Sequence, residues 1–170
     1  MLAAGPVSLS TALCAAFAMG LMAGAIAPPA NAAGQPWSGR YSMVTYASHK
    51  GGTSAAARQP ESDFSAVFTL STACAGTCIA TADGPGSSNP TVPNPQRFAW
   101  DGQQWKATYD WVWQCSLGAQ SPGQSQWSPA TSFTYYTPQT DGSLQGIWHT
   151  DISTGACRGS VSMPVAAFPA

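Results

Sequence analysis

The stretch WKATYDWVWQC, residues 105–115, decides the fold class. Side chains alternate along it with a period of two residues, which is the pattern of a β-strand with one buried face. One face carries the aromatic rings, an alanine and the cysteine: Trp105, Ala107, Tyr109, Trp111, Trp113 and Cys115. The opposite face carries mainly polar side chains: Lys106, Thr108, Asp110, Val112 and Gln114. The stretch therefore predicts an amphipathic strand.

Strand-like segments separated by turn signals also fill most of the rest of the chain. They cover residues 39–48, 64–71, 77–82, 97–100, 132–137, 144–152 and 158–167. Asp101-Gly102 predicts a type I′ hairpin turn, residues 83–95 with four prolines predict a long coil, and Pro164 predicts a sheet edge or a strand end. Seven or eight strands joined by hairpin-length turns indicate an all-β antiparallel meander. It would close as a small barrel or, as the alternative, pack as a β-sandwich.

The N-terminal segment is typical of an export signal. Residues 6–28 are uncharged and mostly apolar, and the A-x-A pattern that ends at Ala32 predicts cleavage after that residue. We therefore expect a removed signal helix at residues 1–32, with Cys14 inside it, and a single all-β domain at residues 33–170. An uncleaved membrane anchor is the alternative, because the apolar run is about long enough to cross a bilayer.

The charge content excludes some classes of partner. Charged residues make up only 8% of the chain, and the formal net charge is −1. Nucleic-acid binding requires clustered Lys and Arg, so we expect no nucleic-acid partner. Membrane contact would occur only through an uncleaved signal. The sequence predicts a monomeric, extracytoplasmic protein that is secreted or held in the cell envelope.

Four cysteines remain after the predicted cleavage, and an even number in an exported chain predicts two disulfides. Three pairings are possible. A hairpin loop over residues 75–77 would bring Cys74 and Cys78 to the Cα separation of about 5.5 Å that a disulfide needs. We therefore favour Cys74–Cys78 together with Cys115–Cys157. The spacing does not suit a redox pair or a zinc site, and we expect neither a metal nor a cofactor.

Residues suited to catalysis are sparse. The chain has two histidines and lacks the G-x-S-x-G, H-E-x-x-H and phosphate-binding glycine motifs. We therefore expect no catalytic residues and a non-enzymatic protein. The alternative is a secreted hydrolase that uses His149 with Asp110 or Asp151.

Seven tryptophans are an unusually large number for a chain of this length. Such rings often fill a core, but a small core seldom needs so many, so part of this aromatic surface could meet a ligand. We hypothesise that a Trp-rich face binds an apolar (lipid) or glycan ligand. Its candidate residues are Trp105, Tyr109, Trp111, Trp113 and Trp148. The remaining alternative is a structural or host-facing surface protein with no small ligand.

Four segments carry a resemblance to known proteins. They are WSGRYSMVTYAS at 37–48, FAWDGQQWKATYDWVWQC at 98–115, LQGIWHTDI at 144–152 and GACRGSVSMPVAA at 155–167. In these segments the chain resembles a group of uncharacterised exported mycobacterial and actinobacterial proteins. Members of this group combine a signal peptide with a small four-cysteine all-β domain. The resemblance implies export to the envelope or the medium, and it implies no activity.

Overall fold

The computed structural model describes residues 36–117 and 123–170, and these form a closed antiparallel β-barrel. Each strand pairs with its neighbours in sequence, and β1 also pairs with β8. The strands are β1 (Gly39–Thr45), β2 (Phe64–Ala75), β3 (Thr77–Asp83), β4 (Gln96–Trp100), β5 (Trp105–Ser116), β6 (Ser125–Pro138), β7 (Leu144–Ile152) and β8 (Gly159–Pro169). Two short 3₁₀ helices, Ala47–His49 and Ala55–Arg58, lie between β1 and β2.

The barrel confirms the predicted all-β meander, and the β-sandwich alternative is wrong. Residues 1–32, which hold the predicted signal helix and Cys14, lie outside the described residues. Strand β6 begins at Ser125, well before the predicted start at Ser132. This extension was missed because its polar side chains lack the alternation expected of a half-buried strand. It pairs with the end of β5 nonetheless, with Gln126 opposite Cys115.

The turn between β4 and β5 differs from the prediction. Trp100 pairs with Trp105, so the loop spans residues 101–104, and only Gly102 in it has a positive φ, of 104°. A type I′ turn is therefore wrong here. The Oδ1 atom of Asp101 closes the loop by accepting hydrogen bonds from the backbone N–H groups of residues 103 and 104. Lys106, whose ammonium lies 2.6 Å from Asp101, acts with these amides to lower the pKa of that carboxyl to about 2.

Pro164 lies in the middle of β8, opposite Ile147, and the predicted sheet edge is wrong. The proline is accommodated because the pairing of β1 with β8 ends at Thr45 and Val165, one residue short of Pro164. Its carbonyl accepts a hydrogen bond from the backbone N–H of Tyr46. The carbonyl of Tyr46 in turn accepts from the N–H of His49, so it does not need the donor that proline lacks.

One end of the barrel is closed by an aromatic cluster. Trp37 precedes β1, is buried, and packs with its ring centroid 5.2 Å from that of Phe98, 6.2 Å from that of Trp105 and 5.0 Å from that of Tyr136. The hydroxyl of Thr72 donates to the Trp37 carbonyl and fixes this segment. Burial raises the pKa of Tyr136. We refer to this end as the closed end.

A second buried cluster lies at the opposite end, around the disulfide Cys115–Cys157. The other disulfide, Cys74–Cys78, spans the β2–β3 hairpin. Both pairings are those that the sequence favours. The short helix Ala55–Arg58 is held against the second cluster by Ser54. The Ser54 hydroxyl donates to the Cys157 carbonyl, and it caps the helix by accepting from the backbone N–H of Ala56.

Candidate functional site

A partly open cavity of about 560 Å³ lies inside the barrel. Its lining contacts both buried clusters: Met43 and Phe68 pack against the cluster at the closed end, and Trp111 and Trp113 pack against the cluster at the other end. Small-molecule pockets in proteins typically measure about 300–1,000 Å³. The barrel therefore encloses space on the scale of a small ligand.

Four of the five aromatic residues singled out from the sequence line this cavity: Tyr109, Trp111, Trp113 and Trp148. Trp105 does not, and its assignment to a ligand-binding face is wrong. It is 0% exposed and packs in the closed-end cluster, with its ring centroid 5.1 Å from that of Trp100. The reason is depth: β5 begins at the closed end, so the first ring on its inner face is buried and the later rings reach the cavity.

The polar atoms of Tyr109, Trp111 and Trp148 are hydrogen-bonded inside the protein. The Trp111 Nε1–H donates to the Ser132 hydroxyl over 2.8 Å, and Ser132 is also hydrogen-bonded to Thr150. The Trp148 Nε1–H donates to the Tyr109 hydroxyl over 3.1 Å. Burial also raises the pKa of Tyr109, which keeps it neutral. Two of the indoles therefore present apolar ring surface to the cavity without leaving a buried donor unpaired.

Three tryptophans form one aromatic wall. The ring centroid of Trp111 lies 5.4 Å from that of Trp113 and 6.2 Å from that of Trp148, and the last two are 6.2 Å apart. These separations lie within the usual range for interacting aromatic pairs. Because each ring packs against the other two, the wall is held in one arrangement.

The facing wall was not identified from the sequence as part of a site. It carries apolar side chains of β1, β2 and β8: Met43, Phe64, Ala66, Phe68, Met163 and Val165. The alternation in β2 predicted a half-buried strand correctly, but alternation shows which residues face inward and not whether they meet packed atoms or empty space. Met side chains adapt to differently shaped neighbours, which suits a variable occupant.

The loop between β3 and β4 borders the cavity on its open side. Strands β4 and β5 pair only at Ala99–Lys106 and Trp100–Trp105, whereas β5 pairs with β6 along its whole length. Where β4 no longer pairs with β5, the loop takes its place. The Asn89 amide donates to the Val112 carbonyl over 2.8 Å, and the Val112 N–H donates to the Thr91 hydroxyl over 3.0 Å. The predicted long coil thus borders the cavity.

Polar side chains concentrate at this border. The lining residues from the loop and its surroundings are Glu61, Pro85, Gly86, Ser87, Ser88, Val92, Pro93, Asn94 and Gln96. Ser87, Ser88, Asn94 and Gln96 are uncharged hydrogen-bonding residues. The cavity is therefore apolar along its strand walls and polar where the loop lines it.

The candidate hydrolase residues lie on the outer face of the barrel. His149 Nε2 is 3.0 Å from Asp151 Oδ1, and His149 Nδ1 is 2.6 Å from the Ser162 hydroxyl. The Asp110 carboxylate instead accepts a hydrogen bond from the Thr131 hydroxyl. The structure therefore brings His149 together with Asp151 and adds a serine that sequence reasoning did not name.

The backbone amide of Ser162 is not available to stabilise an oxyanion in acyl transfer. Hydrolases stabilise the developing oxyanion with preorganised N–H donors, but the Ser162 N–H already donates to the Gly51 carbonyl over 2.8 Å. Successive residues of a strand point to opposite faces, so His149 and the cavity residue Trp148 lie on different sides of the wall. The group does not share the enclosed space of the barrel.

Comparison with solved structures gives the barrel a counterpart. The monomer form of the M. tuberculosis PknI sensor domain matches with a TM-score of 0.57 and 17% sequence identity, over 80% of this chain and 88% of that chain. The fold is that of the PknI sensor domain. The dimer form of the same domain matches with a TM-score of 0.50 and 19% identity, over 64% of this chain and 73% of that chain. No protein-family model and no curated protein matches the sequence.

At this level of identity the likeness to PknI concerns the fold alone. Both neighbours are mycobacterial. Within residues 36–117 and 123–170, no helix is long and apolar enough to cross a membrane.

Proposed function

We propose that this chain is an exported, non-enzymatic envelope or secreted protein that binds an apolar small molecule in its barrel cavity. The observation that carries the proposal is the cavity of about 560 Å³, whose lining includes four of the aromatic residues expected to meet a ligand. The PknI chains that share this fold are sensor domains, which agrees with a binding role. Burial of apolar ligand surface against the tryptophan wall would supply most of the affinity.

The chemistry of the walls favours an apolar ligand over a glycan. A sugar enclosed among the strands would need a hydrogen-bond partner for most of its hydroxyl groups, because a buried hydroxyl without one is costly. The indole donors of Trp111 and Trp148 are already paired with protein atoms. The strand lining adds the hydroxyls of Thr45, Thr134 and Tyr136, which are outnumbered by its apolar side chains. Such a wall suits a hydrocarbon chain.

The two disulfides support the proposed compartment. Disulfides persist in oxidising surroundings such as the envelope and the medium, and cytosolic proteins seldom keep them. With the export signal at residues 1–32 removed, residues 33–170 would act as a monomeric domain. The hydrolase alternative receives less support, because the group around His149 lies outside the cavity and lacks a free amide at Ser162.

A cavity-filling substitution tests the proposal. Ala66 lines the cavity from β2, and its neighbour Val67 is 42% exposed on the outer face. We expect N-phenylnaphthylamine, a neutral apolar dye, to bind the protein saturably and to become more fluorescent. In Ala66→Phe the new ring occupies part of the binding space. The affinity for the dye should therefore fall by about tenfold or more, which corresponds to the loss of about two buried methylene groups.

The matched control is Val67→Phe, which adds a ring to the same strand outside the barrel. It should bind the dye as the unsubstituted protein does. Two results would reject the proposal: no saturable dye binding by the unsubstituted protein, or equal affinity in Ala66→Phe. Unfolding curves of both variants would show that each is folded.

A further inference from the structure

We propose that the ligand of the cavity is an amphiphile with an uncharged polar head, and that the cavity discriminates against anionic amphiphiles such as fatty acids. This inference rests on the proposed function and specifies the chemical class of its ligand. The ligand class follows from which charges line the cavity and which do not.

Positive charge is missing from the lining that the structure describes. All six basic residues of the chain fall within the described ranges: Arg40, Lys50, Arg58, Arg97, Lys106 and Arg158. None of them lines the cavity. A fatty-acid carboxylate drawn into this space would lose its hydration without gaining a cationic partner, which is strongly unfavourable.

The charged residue of the described lining is an acid, Glu61. Its side chain is 45% exposed, so it stands at the rim of the cavity, and its Oε2 atom lies 2.5 Å from Lys50 Nζ. Lys50 neutralises this carboxylate, so the pair presents no free cation to an anionic head at the cavity rim. An uncharged head needs no such partner.

Lys50 is not free to bind an anionic head while Glu61 holds it. The Lys50 side chain is 7% exposed and lines a depression beside the cavity, together with Arg58 and Glu61. An anionic head would have to compete with Glu61 for the Lys50 ammonium. The ion pair therefore withholds Lys50 from anionic ligands of the cavity.

The same border offers hydrogen bonds to an uncharged head. Side-chain hydroxyls and amides of Ser87, Ser88, Asn94 and Gln96 line the cavity there. Such groups can donate to and accept from hydroxyl, ester or amide groups. The hydrocarbon chain would lie along the tryptophan wall, and the head would lie at the loop. A fatty alcohol and a glycoside of the same alcohol share this chemistry.

Displacement of N-phenylnaphthylamine from the full domain at pH 7.5 tests the inference. The competitors are a medium-chain alcohol, its glucoside, the fatty acid of the same chain length and the corresponding trimethylammonium salt. The alcohol or its glucoside should displace the dye at a concentration about tenfold or more below that of the fatty acid. Comparison of the alcohol with its glucoside shows whether the head is a simple hydroxyl or a sugar.

Glu61→Gln tests the role of the ion pair. It removes the carboxylate that holds Lys50 and frees the ammonium to pair with an anionic head, so displacement by the fatty acid should improve about tenfold while displacement by the alcohol changes less than about twofold. Asp83→Asn is the matched control, because it removes the same charge from a residue outside the cavity lining. It should leave every competitor unchanged.

Each outcome decides the inference. Preferential displacement by the fatty acid or by the ammonium salt, or no response of the fatty acid to Glu61→Gln, would overturn it while leaving the proposed function standing. Absence of dye binding to the unsubstituted protein would overturn both.

Discussion

At the scale of single residues, rings on one strand face have two different tasks. Trp105 and Trp111 share the inner face of β5, yet Trp105 is fully buried at the closed end and Trp111 borders open space. Trp37 causes the difference, because it enters the barrel from outside the sheet and fills the space beside Trp105. The first ring therefore stabilises the fold, and the later rings are available to a ligand.

Substitution of the two classes of tryptophan should have different costs. Trp105→Ala should lower the free energy of unfolding by about 3–5 kcal/mol, since it leaves a cavity in a packed aromatic cluster. Trp127→Ala should change it by less than about 0.5 kcal/mol, because the Trp127 side chain is 51% exposed on the surface. Urea unfolding monitored by circular dichroism measures both. Equal costs for the two variants would contradict the assignment of Trp105 to the core.

The sequence predicts the direction of these side chains and not their depth. Alternation in WKATYDWVWQC places Trp105, Trp111 and Trp113 on the inner face, and the structure agrees. Depth depends on where the barrel is closed, and this is determined by Trp37, which lies before β1 and carries no periodic signal. The assignment of Trp105 to a ligand-binding face failed for this reason.

At the scale of elements, β5 is fixed at both of its ends. Its start packs in the closed-end cluster, and its end is joined by Cys115–Cys157 to the segment that precedes β8. The other disulfide joins β2 and β3, which are already neighbours in a tight hairpin. The two bonds therefore restrict the unfolded chain to very different degrees.

Removal of each disulfide should reveal this difference. The cysteines are 42 residues apart in Cys115–Cys157 and 4 apart in Cys74–Cys78. Chain entropy alone predicts a loss of about 4 kcal/mol when both Cys115 and Cys157 become alanine, and about 2 kcal/mol for the pair Cys74 and Cys78. Urea midpoints of the two double variants test this. A larger loss for the hairpin pair would show that loop closure does not determine the contribution of these bonds.

Elements with regular alternation were predictable, and elements fixed by distant contacts were not. The start of β6 at Ser125 has polar residues on both sides and becomes a strand because β5 offers it a partner. The coil after β3 was recognised from its prolines, but its position beside the cavity depends on Asn89 and Thr91 bonding to Val112. Such contacts join residues about twenty positions apart, and local patterns do not encode them.

At the scale of the whole molecule, the barrel is filled at one end and holds a partly open cavity next to the filled part. Trp37 and its neighbours fill the closed end, while the coil after β3 borders the cavity on the open side. A barrel of eight strands has an interior that side chains can fill or that can hold one small ligand. Here the closed end is filled, and the space beside the tryptophan wall is not.

No sequence pattern pointed directly to this cavity. Seven tryptophans indicated more aromatic surface than a small core needs, and this surplus pointed to β5, whose later rings line the cavity. The cavity itself arises only when β1 pairs with β8 and brings Met43, Met163 and Val165 opposite Trp111. Ring closure is a property of the whole chain, so the site could be suspected from composition but not located.

Quenching of tryptophan fluorescence by a medium-chain alcohol with a brominated chain tests the central claim most directly, because bromine quenches rings that it contacts. We expect saturable quenching in the unsubstituted protein. The quenched fraction should fall in Trp111→Phe and Trp113→Phe, which remove rings from the cavity wall, and should not fall in Trp127→Phe, which removes an exposed ring. Absence of saturable quenching, or loss of the quenched signal in Trp127→Phe alone, would contradict binding inside the barrel.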